Sequence, residues 1–304
     1  MENDIVYFQA HTHSKYSINR LSGEGVFHKL TWPIERFILR TIMKSPKGLL
    51  KLAHKKGVSY VAVTDHNRVP AIDEGRDYLI TGEEWGQRKG HSNLINLVVS
   101  VSPECGYFEG IEPESPKDFQ SAAVETARQG GFVSINHPFK KDAWLWGEES
   151  YTLANALEIW NGKWCEENQK ALDLWQKLLV GGSKIWCMAG NDFHVNRIFN
   201  IDFQVIAFTN TDSKQSLILK LKNGDFSITR DTGTPIVFLR KDLSYLIEKY
   251  REPIELRVVF PSHTEKRQDP SKTGVIERKE NQNFVRLELW EENTPLSFSN
   301  PVFL

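Results

Sequence analysis

Ser59-Tyr60-Val61-Ala62-Val63-Thr64-Asp65-His66 is the stretch from which the rest of the chain can be read. From Ser59 to Thr64 there is no charge and a high content of β-branched and aromatic residues. This is the pattern of a strand buried on both faces, as in a parallel sheet covered by helices. The run ends on an acid and an imidazole. Outward from it the same design recurs. Ile5 to Ala10 is a short β-prone run that ends in His11-Thr12-His13, and Tyr78 to Thr81 leads to Glu83-Glu84. Leu94 to Val101 follows His91, and Phe132 to Asn136 runs into His137. Leu157 to Trp160 contains Glu158, Ile185 to Ala189 leads to Asp192-Phe193-His194, and Phe203 to Phe208 adds a further strand.

Helices separate several of these strands. Ser45-Pro46 supplies an N-cap and first-turn pair before Leu49, Leu50, Leu52 and Ala53, with Gly57 closing the segment. Ser115-Pro116 opens a helix with Phe119, Ala122, Ala123, Thr126 and Ala127 on one face, ending at Gly130-Gly131. Ala171, Leu174, Trp175, Leu178 and Leu179 mark another, which stops at Gly181-Gly182. The β-then-α rhythm predicts parallel strands covered by helices, and periodicity alone leaves a barrel and an open sheet equally open. From about Thr234 the rhythm changes to strands without helices: Pro235 to Leu239, Ile254 to Phe260 and Asn283 to Trp290, with a polar loop from Ser262 to Asn281. The expected division is an α/β domain over residues 1–233 and a small β-rich C-terminal element over residues 234–304. Gly23 to Arg40, interrupted by Trp32-Pro33, reads as a lid or insertion beside the first loop.

Composition narrows the function classes. The 304 residues carry 38 Lys plus Arg against 39 Asp plus Glu, a formal charge of -1, so bulk charge attracts neither nucleic acid nor anionic lipid. An anionic ligand has to be held by local groups. Three cysteines, Cys105, Cys165 and Cys187, are too few and too scattered for a disulfide framework or a Cys-rich zinc site. The first residues show no signal-peptide pattern and no long apolar run follows, so the expectation is a soluble cytoplasmic protein without membrane or nucleic-acid partners.

The chemistry lies in the donors at the strand ends. His11 and His13, two apart in extended backbone, point to one side and can grip one ion; Asp192 and His194 repeat that spacing. His66, Glu84, His91 and His137 add further imidazole and carboxylate donors. Parallel strands collect their C-terminal ends on one face, so donors spread along the chain can converge. Mixed nitrogen and oxygen donors suit Zn, Mn or Fe, and their number exceeds what one tetrahedral ion uses, which points to at least two metals and to hydrolysis. Glu158 is open between ligand and supporting residue. His28, His54 and His263 read as packing or surface residues, and Trp144-Leu145-Trp146 as core with a pocket-lining alternative.

These residues, His11-Thr-His13-Ser-Lys-Tyr-Ser17, Thr64-Asp65-His66-Asn67, Gly82-Glu83-Glu84, Gly90-His91, Asn136-His137-Pro138 and Gly190-Asn191-Asp192-Phe193-His194, resemble the ordered motifs of the PHP (polymerase and histidinol phosphatase) superfamily over about residues 5–210. Gly90-His91-Ser-Asn93, Glu158-Ile-Trp-Asn161 and the tail Ser299-Asn-Pro-Val-Phe-Leu304 resemble its branch named after carbaryl hydrolases. The resemblance implies a distorted (β/α)7 TIM-like barrel. It also implies that His11, His13, Glu84 and Asp192 hold one ion, that Glu84 bridges to a second held by His91 and His137, and that His66 and His194 serve a third. Glu84, two residues after the glycine, takes the bridging role, and Glu83 a supporting one. Where the family commonly has an acid or histidine this chain has Ile18-Asn19, so the expectation is two firmly held divalent ions (Zn, Mn or Fe) and a weak or absent third.

The resulting expectation is a metal-dependent phosphoesterase that cleaves a small phosphorylated compound with activated water. Arg68, Lys140, Lys141 and Arg197 are candidate cations for the remaining phosphate charge, and His194 or His66 is a candidate proton donor to the leaving group, with Asp65 beside them. The rival readings are a metal-dependent carboxyl-ester or carbamate hydrolase and a non-catalytic domain with a degraded site.

Overall fold

The computed structural model describes residues 4–17, 43–72, 75, 77–87, 89–101, 116–140, 144–194 and 204–304. Ile18-Asn19, the Gly23 to Arg40 segment with His28, Cys105, Lys141 and Arg197 lie outside the described residues.

Seven strands follow one another in space as they do in sequence: β1 (Ile5–Gln9), β2 (Tyr60–His66), β3 (Leu79–Gln87), β4 (Gly90–Ile95), β5 (Phe132–Ile135), β6 (Ala156–Asn161) and β7 (Trp186–Gly190). The pairs β1–β2, β2–β3, β5–β6 and β6–β7 are parallel, whereas β4 runs antiparallel to both β3 and β5. The C-terminal ends of six strands and the N-terminal end of β4 therefore share one end of the sheet. β4 is shorter and earlier than the Leu94 to Val101 run suggests. Its inward pairing with β3 sets Gly86 opposite His91, so His91 reaches the common end from within a strand rather than from a loop before it.

Helices α1 (Pro46–Lys55), α2 (Pro116–Arg128), α3 (Glu166–Val180) and α4 (Lys214–Asn223) accompany these strands. Ser45 Oγ caps α1 by accepting from Gly48 N–H at 3.2 Å, as the Ser-Pro pair predicts. The two faces of β2 are both buried: Tyr60 and Ala62 join one apolar cluster with Phe8, Phe119, Phe132 and Trp175, while Val61 and Val63 join another with Leu49, Leu50 and Ala53. Trp144 and Trp146 are also core residues, packed near Phe119 and Trp85, while Leu145 between them is exposed.

The ladder does not close into a ring among the described residues. The second edge of β1 is taken by the antiparallel strand β8 (Val205–Thr209), and β7 ends the sheet on the other side. A single bridge, Thr12 to Phe193, ties the chain beyond β1 to the chain beyond β7, with His13 N–H donating to Phe193 O at 2.8 Å.

The sheet continues from β8 through β9 (Ser227–Thr229), β16 (Thr294–Ser299), β15 (Phe284–Glu291), β12 (Glu255–Val259) and β13 (Thr264–Gln268). β10 (Ile236–Leu239), β11 (Ser244–Glu248) and β14 (Thr273–Val275) make a second, three-stranded sheet, and β17 (Val302–Phe303) pairs with β15. Two strands thus fall inside the stretch expected to be a polar loop. β13, Thr-Glu-Lys-Arg-Gln, carries no apolar residue and is an edge strand, so it shows no hydrophobic period for a sequence reading to find. The C-terminal strands have their own apolar cluster, including Leu256, Val258, Leu287, Leu289 and Leu296, yet the hydrogen-bonded sheet runs across position 233 without a break.

Phe298 on β16 fastens this junction. Fully buried, it meets Trp160, Trp164 and Trp290 at ring-centroid distances of 5.7, 5.6 and 6.0 Å. Phe298→Ala is expected to cost about 3–5 kcal/mol. Chemical denaturation of the wild type, followed by near-UV circular dichroism and tryptophan fluorescence, should show one shared transition; two separated transitions would show that the C-terminal strands fold independently.

Candidate metal centre

Glu84 is the middle of the site. It leaves β3 toward the common strand end, fully buried, and its carboxylate faces five imidazoles. Oε1 lies 3.1 Å from His11 Nε2, 3.3 Å from His91 Nδ1 and 3.3 Å from His137 Nε2; Oε2 lies 3.0 Å from His66 Nδ1 and 3.3 Å from His13 Nε2. Neighbours on an extended strand point to opposite faces, and Glu83 accordingly turns away to accept from Ser100 Oγ and, at 3.2 Å, from Val101 N–H.

Asp192 and His194 border the open side, each just under one-third exposed. Asp192 Oδ1 stands 3.1 Å from His13 Nε2 and 3.5 Å from His11 Nε2. The His13 ring stacks on His194 and His66 with centroids 4.0 and 4.5 Å away. Asp192 has φ 48°, a left-handed conformation that an aspartate tolerates at a local cost and that places its carboxylate beside both histidines of the first loop.

The electrostatics separate the histidines into two kinds. Burial alone would push His11 and His13 down, but the Glu84 and Asp192 carboxylates, with Glu158 for His11, outweigh it; His11 is raised well above its ordinary value and His13 to about 9. Burial wins at His66, which falls well below the ordinary value, and at His194, pushed down to about 4 by burial and by the neighbouring His13 charge. His66 and His194 are therefore held toward the neutral form, whose ring nitrogen lone pair can ligate. Glu84 and Asp192 are held well below the usual carboxylate range against their burial by the surrounding imidazoles.

Several atoms here have no hydrogen-bonding explanation. His66 Nε2 and His137 Nδ1 are buried without a hydrogen-bond partner, Glu84 Oε2 and Asp192 Oδ1 both face His13 Nε2, and His11 Nε2 faces His13 Nε2 at 3.4 Å. Buried polar atoms are ordinarily satisfied, and lone pairs from several donors converging at such separations are what a shared cation requires. Four sets of ligating atoms fall within 4.8 Å of one another among the described residues: His11, His13, Glu84 and Asp192; His66, Glu84 and His91; His13, His66 and His194; and His11, His137 and Glu158. These buried groups are able to hold metal ions.

Similarity to known proteins adds little to that geometry. No family model matches the chain. An uncharacterized protein of Methanocaldococcus jannaschii is 26% identical over 159 residues, covering 50% of this chain and 79% of that protein. A solved chain from Bifidobacterium adolescentis, titled "a putative metal-dependent phosphoesterase", aligns with a TM-score of 0.43 and 11% identity over 72% of this chain and 98% of its own. The functional reading therefore rests on the residues of the site.

The remaining sequence candidates take other places. Asp65, expected beside the proton donors, is fully buried with its oxygens taken by Ser14: N–H to Oδ1 at 2.6 Å and Oγ to Oδ2 at 2.6 Å. It shapes the first loop. Arg68 is exposed, and Lys140 is half-buried with its ammonium on Asn161 Oδ1. His54 bonds to Ser59 O and stays at the surface. Glu158 reaches His11 Nδ1 at 3.1 Å.

Residue-type reasoning missed the supports. Ser17 Oγ sits 3.1 Å from both His13 Nδ1 and His66 N, and Asn136 Nδ2 donates to Glu84 Oε1 at 2.9 Å. Both lie within the quoted motifs, but nothing in a serine or asparagine signals whom it touches. Gly190 is required by close approach, since a Cβ there would collide with Glu158 Oε1 and come within 2.5 Å of His11 Cβ. Gly190→Ala should displace both side chains and cost about 1–3 kcal/mol of stability, together with metal affinity, measurable by thermal unfolding with and without Zn.

Metal binding should also release protons. His11 and His13 carry protons near pH 7 in the metal-free protein and must lose them to ligate, so loading at pH 7.5 is expected to release about two protons and to tighten as pH rises toward 9. Calorimetry in buffers of different ionisation enthalpy reads this directly; heats independent of buffer would contradict it.

Proposed function

We propose that the protein is a metal-dependent hydrolase, a phosphoesterase for a small phosphorylated compound, on a distorted (β/α)7 barrel of the PHP kind. The observation that carries this reading is the position of Glu84, one carboxylate with both oxygens 3.0–3.3 Å from the nitrogens of five histidines. A lone ion has no use for so many donors, and a fold of this size has no need of them for stability. The sequential order of β1 to β7 and the Thr12–Phe193 bridge support the barrel.

His11, His13, Glu84 and Asp192 would hold one ion, Glu84 would share a second with His91 and His137, and His66 and His194 would serve a weaker third. Divalent ions in such a site supply Lewis acidity toward phosphoryl oxygens and make water acidic enough to act as a nucleophile at neutral pH. The chain's own part is to keep those donors aimed. Neutral His66 and His194 offer lone pairs, the Asn136 side-chain amide Nδ2 pins Glu84, and Ser17 fixes the ring of His13 and the backbone of His66. At the open side, Asp192 and His194 leave access for a substrate, and Lys140, held on Asn161, is the candidate cation for its phosphate charge.

Protein purified without chelator is expected to contain about two equivalents of Zn, Mn or Fe, by elemental analysis, and to hydrolyse p-nitrophenyl phosphate. His13→Ala should lower turnover by at least about a hundredfold. Turnover of p-nitrophenyl acetate or an aryl carbamate alone would move the assignment to the carbaryl-hydrolase branch and its ester chemistry. Absence of metal, with no activity restored by Mn or Zn, would refute the hydrolase reading.

A further inference from the structure

Glu158 is a buried carboxylate with three donors converging on it. Oε1 accepts from His11 Nδ1 at 3.1 Å, while Oε2 accepts from His137 N–H at 3.0 Å and from Asn161 Nδ2 at 2.7 Å. Its position depends on an irregularity in β6. Residues three apart on a regular strand point to opposite faces, yet Glu158 and Asn161 bond to each other. The register of β6 against β7 slips between Glu158 and Trp160, and this bulge turns both side chains to one side.

Asn161 is itself held firmly. Its N–H donates to Asn168 Oδ1 at 3.1 Å, and Asn168 Nδ2 returns to Lys163 O at 3.1 Å. With its amide nitrogen on Glu158, its oxygen is left to accept from the Lys140 ammonium. Lys140 N–H donates to His137 O at 3.0 Å, so the lysine springs from the same turn as His137. A continuous path thus runs from His11 through Glu158 and Asn161 to a half-buried cation.

We propose that Glu158 is a positioning residue and not a metal ligand. It keeps His11 with its proton on Nδ1 and with Nε2 turned to Glu84 and Asp192, and through Asn161 it fixes the Lys140 ammonium as the contact for an anionic group of the substrate. Only a carboxylate serves all three donors, because a glutamine would set its own NH₂ against at least one of them. A carboxylate behind a ligating imidazole fixes its tautomer and orientation. This inference rests on the reading of the site as a metal centre.

The test uses the full-length Zn-loaded protein labelled with ¹⁵N-histidine, the His11 signals being assigned by comparison with His11→Asn. Long-range ¹H–¹⁵N correlation should find His11 protonated at Nδ1 and metal-bound at Nε2. Metal at Nδ1, which Glu158 would share if it were a ligand, overturns the proposal. For the second half of the path, inorganic phosphate binding to the Zn-loaded protein is compared with Lys140→Ala. About tenfold weaker binding in the variant is expected for loss of one charge-assisted hydrogen bond. Equal affinities, or no phosphate binding by the wild type, would refute the role of Lys140. A wild type that takes up no Zn at all would instead refute the metal-centre reading beneath the proposal, so the two failures are told apart.

Discussion

The carboxylate of Glu84 has lost all contact with water and faces five imidazole nitrogens, and much of the surrounding structure serves to make that tolerable. A buried anion is costly unless it is compensated by opposite charge and hydrogen bonds. Here His11 and His13 are pushed toward their charged forms, Asn136 donates a hydrogen bond, and burial holds His66 and His194 toward their neutral forms. The same arrangement leaves lone pairs aimed at common points, so protons and metal ions compete for one set of atoms.

The fold meets this constraint by ending six parallel strands and beginning one antiparallel strand at the same place. Each strand end delivers one or two donors, and short supports lock them: Ser14 on Asp65, Ser17 on His13, Glu158 on His11. Gly190 allows β7 to pass close enough for Glu158 and His11 to meet. The C-terminal strands extend the sheet from the far edge of β1 through β8 and β9, and the aromatic contacts of Phe298 join them to β6, the strand that carries Glu158.

Much of this could be read from the residues. Continuous apolar runs marked the buried strands, capping pairs marked the helix starts, and donors repeating at strand ends marked the site, because those features depend on residue type and short spacing. Three things escaped for physical reasons. The antiparallel sense of β4 is a property of pairing partners that Gly90 to Ile95 does not carry in its own composition. The all-polar edge strand β13 draws its order from the hydrogen bonds of β12, so its residues give no apolar signal. Asp65 looked like a site acid because it adjoins His66, but alternation along β2 sends it to Ser14 instead. Neighbourhood in sequence suggests chemistry, whereas strand pleat and pairing decide which neighbour takes part.

The central claim is that Glu84 joins two ions. The direct measurement is low-temperature electron paramagnetic resonance of the protein loaded with Mn(II), compared with Glu84→Ala loaded in the same way. A carboxylate shared between two ions predicts an exchange-coupled spectrum in the wild type that collapses to isolated Mn(II) signals, or to no bound metal, in the variant. Isolated Mn(II) signals alone in the fully loaded wild type would contradict it.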